Sequence, residues 1–214
     1  IKRLKAEGVE QLVMAGRLQR PSLKSIKLDF RGAKLLPKLA RIGGDDSLLS
    51  VIVTEMESVG FTVIAVDDLL PSLLAPVGTM GKHHPGPEDE ADIAKGIELL
   101  RALGPHDVGQ AVVVENGRIL AIEGAEGTKG LLARVAELKD APDQGALVKC
   151  IKIGQDARAD RPTIGPDTVA QAASAGLAGI AVEAGATLVL DQQETVRRAD
   201  QEGLFLIGFE RVAD

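Results

Sequence analysis

Twice within the first seventy residues a helical run stops at a glycine and a short strand follows, and few folds accommodate that rhythm. Leu4 to Glu7 reads as the last turn of a helix that ends at Gly8, and Val9 to Ala15 follows as a buried strand running into Ala15-Gly16. Lys34 to Arg41 carries helical apolar spacing and is broken by Gly43-Gly44. Asp45 or Asp46 then caps a helix over Ser47 to Val59, Gly60 terminates it, and Phe61 to Val66 follows as a strand rich in β-branched residues. Helix, glycine, strand in succession is the pattern of a parallel α/β sheet, and a Rossmann-like N-terminal domain is the expectation. Such a half opens with a strand and a glycine-rich turn, where a nucleotide phosphate sits, and none precedes Ile1. The sequence therefore reads as starting inside that domain.

The second half has a different rhythm. After a Gly-, Pro- and His-rich loop from Pro76 to Pro87, an acidic first turn opens a helix that runs to about Leu103 and stops at Gly104-Pro105, where the domain boundary is expected (1–104 and 105–214). Gln110 to Glu115 and Arg118 to Glu123 flank Asn116-Gly117, a strong signal for a two-residue hairpin. A helix over Lys129 to Leu138, a strand over Ala146 to Ile151, a loop from Gly154 to Gly165 and a helix from Pro166 to about Ala175 come next. Gly179 to Glu183 and Thr187 to Leu190 read as strands, Asp191 with Glu194 as a capping box, and Leu204 to Phe209 as a last strand. Hairpin mixed with helices predicts an α+β domain with a mixed sheet.

Composition narrows the function classes. The chain has no Trp or Tyr and four Phe, so its core is aliphatic, and the composition argues against base-stacking nucleic-acid modules. A formal net charge of −6, with no basic stripe beyond Lys2-Arg3 and Lys5, also argues against nucleic acid, while small anionic substrates remain open. A single cysteine, Cys150, rules out an internal disulfide framework, fits a reducing compartment, and lies in an apolar run as a buried structural thiol. No run approaches the roughly 20 apolar residues of a membrane span, and no signal peptide opens the chain.

Gly154-Gln155-Asp156-Ala157-Arg158-Ala159-Asp160-Arg161-Pro162-Thr163-Ile164-Gly165-Pro166 is the stretch richest in chemistry. It sets two carboxylates and two arginines immediately before a helix whose first position suits Pro166, and a helix start of this kind attracts phosphate. Cleaving a phosphoanhydride needs neutralised phosphate charge, a positioned water and usually a divalent metal. Asp160 suits the metal or the water, Arg158 and Arg161 the charge, and Thr163 with the backbone at Gly165 the donors. A solvated, salt-bridged loop accounts for the same spacing. Glu123-Gly124-Ala125-Glu126-Gly127-Thr128 is a second candidate, an anion- or sugar-binding turn with Thr128 as helix cap, and a plain turn explains it equally. His83-His84 lacks a third ligand at metal spacing and reads as exposed loop, and Asp45-Asp46 reads as helix capping.

These segments together resemble the LpxI family of UDP-2,3-diacylglucosamine pyrophosphatases from Gram-negative lipid A biosynthesis. The resemblance rests on Ala15-Gly16 with Arg20-Pro21, Gly44-Asp45-Asp46, Pro87-Glu88, Gly109-Gln110, Val113 to Glu115 and Glu126-Gly127-Thr128. It continues through Asp160-Arg161-Pro162-Thr163-Ile164-Gly165 and the Ala175 to Ile180 and Glu183-Ala184-Gly185 stretches, nearly the whole chain in order. It implies a two-domain hydrolase that releases UMP and diacylglucosamine 1-phosphate (lipid X) with magnesium. Asp160 would be its catalytic and metal-binding carboxylate. Gly16, Arg20, Asp45, Asp46, Glu126, Gly127, Thr128, Arg158, Thr163, Ile164 and Gly165 would line the substrate site. It also implies a cytoplasmic enzyme that touches the inner membrane transiently, and a homodimer. Lys129 stands where the family usually carries Asp, which reverses the local charge. Two other readings compete: a non-catalytic lipid or nucleotide-sugar binder of the same fold, and a nucleotide-dependent oxidoreductase or transferase, for which the glycine fingerprint is absent.

Overall fold

A computed structural model describes residues 1–16, 45–139 and 142–210. They form a mixed α/β structure that divides into two compact units, Ile1–Pro71 with Gln155–Asp160, and Ser72–Gly154 with Arg161–Asp214. The division falls at Pro71/Ser72 and not near residue 104.

In the first unit, α1 (Lys2–Ala6) leads to β1 (Gln11–Val13), and α2 (Asp45–Ser58) leads to β2 (Thr62–Ile64) and a short α3 (Val66–Leu69). β1 and β2 pair in parallel, with Gln11 beside Thr62 and Val13 beside Ile64. Gly8 and Gly60 sit at left-handed φ values of 72° and 92°, which is how each helix turns into its strand. The strand expected to reach Val66 stops at Ile64, because Asp68 accepts the Ala65 N–H at 2.9 Å and starts α3. Asp45 and Asp46 fall inside the first turn of α2; their side chains, and the helix expected over Lys34 to Arg41, lie outside the described residues.

The second unit is built on a six-stranded mixed sheet of order β3-β10-β8-β6-β4-β5. Its strands are β3 (Gly78–Thr79), β4 (Ala111–Glu115), β5 (Arg118–Ile122), β6 (Ala146–Lys149), β8 (Gly179–Glu183) and β10 (Phe205–Phe209). β6, β8 and β10 run in parallel, whereas β3 and β4 are antiparallel to their neighbours. Alternation along the strands feeds two cores. Val112, Val114, Val148, Ala181 and Phe205 face α4 (Pro87–Leu103) through its Ile93 and Leu100. Val113, Leu147, Ile180 and Leu206 face α5 (Gly127–Leu138), α6 (Pro166–Ser174) and α7 (Gln192–Glu202). This explains the boundary: α4 forms as the sequence predicts, but its apolar stripe is buried on strands that come later in the chain.

The hairpin is where the sequence placed it. Asn116 and Gly117 adopt φ of 50° and 73°, the doubly left-handed turn whose twist matches the flanking strands. Asp92 of α4, 2% exposed, accepts both turn amides, Asn116 N–H at 2.8 Å and Gly117 N–H at 2.6 Å.

Two local expectations are corrected. Within the stretch expected to be loop, Thr163–Ile164 forms β7, paired in parallel with β9 (Leu188–Val189). Two residues are too few for a periodicity to register. Asp191 does precede α7, but at φ 45° and with no cap from its side chain, while Glu194 turns to Arg197 at 2.7 Å. No described helix is long and apolar enough to cross a membrane.

Candidate active site

In open α/β sheets ligands collect beyond the carboxyl ends of the strands, where the backbone diverges and side chains of adjacent strands meet. Here that edge of the second unit carries charge that the sheet buries. β6 ends at Lys149 and β8 at Glu183, and Glu123 follows β5 at the same edge, its N–H bonded to Ala111 O at 2.8 Å. Their exposures are 3% for Lys149, 3% for Glu183 and 6% for Glu123. Groups this buried persist only when hydrogen bonds satisfy them.

Glu123 and Lys149 are satisfied in one connected network, and Glu183 by a backbone amide beside it. Glu123 accepts the Gln110 N–H at 2.8 Å on one oxygen and the Thr128 hydroxyl at 2.6 Å on the other. The Lys149 ammonium donates to Thr128 Oγ1 at 2.9 Å and to Thr163 O at 3.2 Å. Glu183 accepts the Ile151 N–H at 3.1 Å, which holds the chain as it leaves β6. Gly109 allows the close approach: a Cβ there would stand 2.2 Å from the Glu123 carbonyl oxygen. The Glu-Gly-Thr turn and the Thr-Ile-Gly turn, more than thirty residues apart in sequence, thus meet on one lysine.

This arrangement revises the sequence reading of both turns. Thr128 does not cap α5, because its hydroxyl is given to Glu123. The residue before α5 is Glu126, which bonds Arg134 and whose carboxyl is held below the usual range by a hydrogen bond from its own backbone N–H. At α6, Pro166 occupies the first turn as expected. However, the Gly165 N–H donates to Thr168 Oγ1 at 3.3 Å, and the Thr168 and Val169 amides both bond the Gly165 carbonyl. With Asp167 in that turn as well, the start of α6 offers an anion fewer donors than the sequence suggested.

The other expected residues belong to the first unit. Arg158 forks across Asp156, at 2.9 and 2.8 Å, and also reaches Glu57 at 2.6 Å. The Arg158 hydrogen bonds hold the Asp156 carboxyl below its ordinary range and raise the guanidinium's own. Arg158 is therefore a clamp on its own loop, the salt-bridged reading of that segment. Asp160 is half-buried, with its N–H on the Asp156 carbonyl at 3.1 Å and Oδ2 accepting the Gln155 amide at 2.8 Å. Gly16 follows β1 at φ 105°, and Arg20 lies outside the described residues. Arg161, in the second unit, donates to the Ala186 carbonyl at 3.2 Å.

Lys149 and Glu183 were missed as site candidates. The signal was present: each is a charged residue closing an otherwise apolar run, Ala146-Leu147-Val148-Lys149 and Gly179-Ile180-Ala181-Val182-Glu183. Cys150 is buried as expected, and burial pushes its thiol up to about 12, followed in effect by the nearby Glu183 charge. His83 and His84 are exposed, His84 Nδ1 lying 3.0 Å from Thr79 Oγ1 and His83 Nε2 3.3 Å from the Asp200 carbonyl. Among the described residues no three His, Cys, Asp or Glu side chains converge as a metal cage.

The LpxI N-terminal domain model matches residues 1–73 and the LpxI C-terminal domain model residues 76–207. The chain belongs to the LpxI family. The two LpxI models meet within a few residues of the Pro71/Ser72 division seen in the fold. The UDP-2,3-diacylglucosamine pyrophosphatase LpxI of Caulobacter vibrioides is 41% identical over 215 aligned positions, spanning 97% of this chain and 77% of that protein.

Proposed function

We propose that this LpxI-family chain is a hydrolase that cleaves the pyrophosphate of UDP-2,3-diacylglucosamine to UMP and 2,3-diacylglucosamine 1-phosphate, in lipid A biosynthesis. The single observation that carries this is the 41% identity to the Caulobacter vibrioides enzyme across 97% of the chain. The reaction adds a water oxygen to one phosphorus, breaks the P–O–P bridge, and leaves the second phosphate as an anion, so negative charge must be stabilised on both sides.

Asp160 is the residue proposed to orient that water. It is half-buried and accepts the Gln155 amide on Oδ2, while Asp156 in the same loop is paired with Arg158. A single carboxylate suits magnesium, which commonly takes one or two protein carboxylates and completes its shell with water and substrate phosphate. Asp160 would hold it, and the ion would supply neutralisation of phosphate charge. Glu126, Gly127, Thr128, Thr163, Ile164 and Gly165 are proposed to contact the substrate in the second unit, and Gly16, Arg20, Asp45, Asp46 and Arg158 in the first. In the same reading the first unit is Rossmann-like, the enzyme works as a cytoplasmic homodimer, and it draws its lipid from the inner-membrane surface by transient contact.

The test is turnover. The full chain is incubated with UDP-2,3-diacylglucosamine in mixed micelles with magnesium, and UMP is separated by chromatography. UMP release is expected, with an Asp160→Ala variant slower by about 1,000-fold, the upper range for losing one preorganised charge contact. Tight lipid binding without UMP release would instead establish the non-catalytic binder. Near-normal turnover of Asp160→Ala would remove Asp160 from the mechanism.

A further inference from the structure

Lys149 continues β6 in a register where a fourth apolar residue would be buried without loss. An ammonium at 3% exposure costs more desolvation than an aliphatic side chain in that place. What it gains is specific: one head group bonds the Thr128 hydroxyl and the Thr163 carbonyl, and through Thr128 it is linked to the buried Glu123 carboxylate. Thr128 belongs to the first turn of α5, and Thr163 to β7, which runs through Gly165 into α6. These hydrogen bonds join the two turns at their polar ends, while Leu131 and Leu132 of α5 share an apolar core with Ile164 and with Val169 of α6.

We infer that Lys149 is a positioning residue of the hydrolase: its ammonium fixes the Glu126-Gly127-Thr128 turn against the Thr163-Ile164-Gly165 turn, so that the substrate meets both in one geometry. The inference rests on the functional reading above and adds a residue to it. Direct contact between Lys149 and a phosphate is the less favoured role, because the ammonium is enclosed and already donates to two oxygens of the chain. A positioning lysine acts by setting where other groups stand, and small misplacements of reacting groups lower turnover steeply.

The experiment compares the full-length chain with Lys149→Met, a side chain of similar length without charge. Amide hydrogen exchange is followed by mass spectrometry, alongside steady-state UMP release. The expected result is faster exchange confined to the starts of α5 and α6, unchanged exchange in the β4–β5 hairpin, and kcat lower by about 100-fold with KM little moved. An unchanged kcat in a folded variant overturns the inference. So does exchange that rises along the entire second unit, which is the mark of a merely structural lysine. If Lys149→Met does not fold, Thr128→Val removes one arm of the same clamp at nearly constant volume. It is expected to loosen the start of α5 and lower kcat several-fold, about one hydrogen bond's worth. Wild-type exchange and kcat in that variant overturn the inference as well. A wild-type chain that releases no UMP defeats the functional reading, and the exchange pattern then still reports whether the clamp exists.

Discussion

The lysine-centred network of the second unit and the arginine-centred loop of the first are both made of acidic and basic side chains, yet they are built on opposite terms. Lys149, Glu123 and Glu183 are enclosed by the sheet and its helices, and their partners Thr128, Thr163, Gln110 and Ile151 lie in the strands and helices or within two residues of a strand end. Arg158 is 39% exposed and holds Asp156 two residues away, with Glu57 on α2 as its long-range partner. In the enclosed network water cannot replace a lost partner, so each bond is strong and each deletion costly. In the open loop water competes for every contact, and the ion pairs contribute little to stability. The network of the second unit is thus held by its sheet, while the first-unit segment that carries Asp160 is shaped by its own loop contacts.

That contrast can be broken by mutation. Glu123→Ala removes a buried carboxylate and strands the Gln110 N–H and the Thr128 hydroxyl beside a buried ammonium. It is expected to lower unfolding stability by about 3 kcal/mol, measured by urea denaturation. A loss near zero would mean the network is not the rigid part. Gly109→Ala places a methyl 2.2 Å from the Glu123 carbonyl oxygen. Overpacking against backbone is expected to cost about 1–3 kcal/mol in the same assay, and a neutral result would show that the turn before β4 yields easily.

Arg158→Met is expected to be the mildest change, within about 1 kcal/mol, since its pairs are exposed to solvent. The loop also has a pH signature. Asp156 titrates below an unfolded carboxylate, so its pair with Arg158 contributes stability above the unfolded value and loses it as pH falls through the lowered one. Acid titration of stability should therefore flatten slightly in Arg158→Met relative to wild type. An identical acid limb in both proteins would discount the Asp156–Arg158 pair.

What the sequence disclosed and what it withheld divide along similar lines. The Asn116-Gly117 hairpin, the Pro166 helix start and the helix over Pro87–Leu103 were legible because the residues that decide them are adjacent in the chain. The domain boundary was not, since the partners of Ile93 and Leu100 are Val112, Val148 and Phe205, all further along. The role of Thr128 was misjudged for the same reason. A threonine at a helix start reads as a cap until Glu123 and Lys149 are known to stand beside it. Asp160 shows the other limit, because its claim to catalysis comes from family membership, and its described contacts alone would also suit an ordinary loop.

The place of β10 in the sheet order bears on how this chain is made. Phe205–Phe209 lies inside the sheet, between β3 and β8, and Gly78–Thr79 has no strand to pair with until it arrives. During synthesis β8 thus waits with an open edge, and the pockets for Phe205 and Leu206 stay unfilled while most of the chain has already emerged. Closure of that sheet is a late, long-range event, slow by its topology and exposed to mispairing in the interval. A chain cut just before Leu204 would leave Gly78–Thr79 without a strand to pair with and β8 with an open edge.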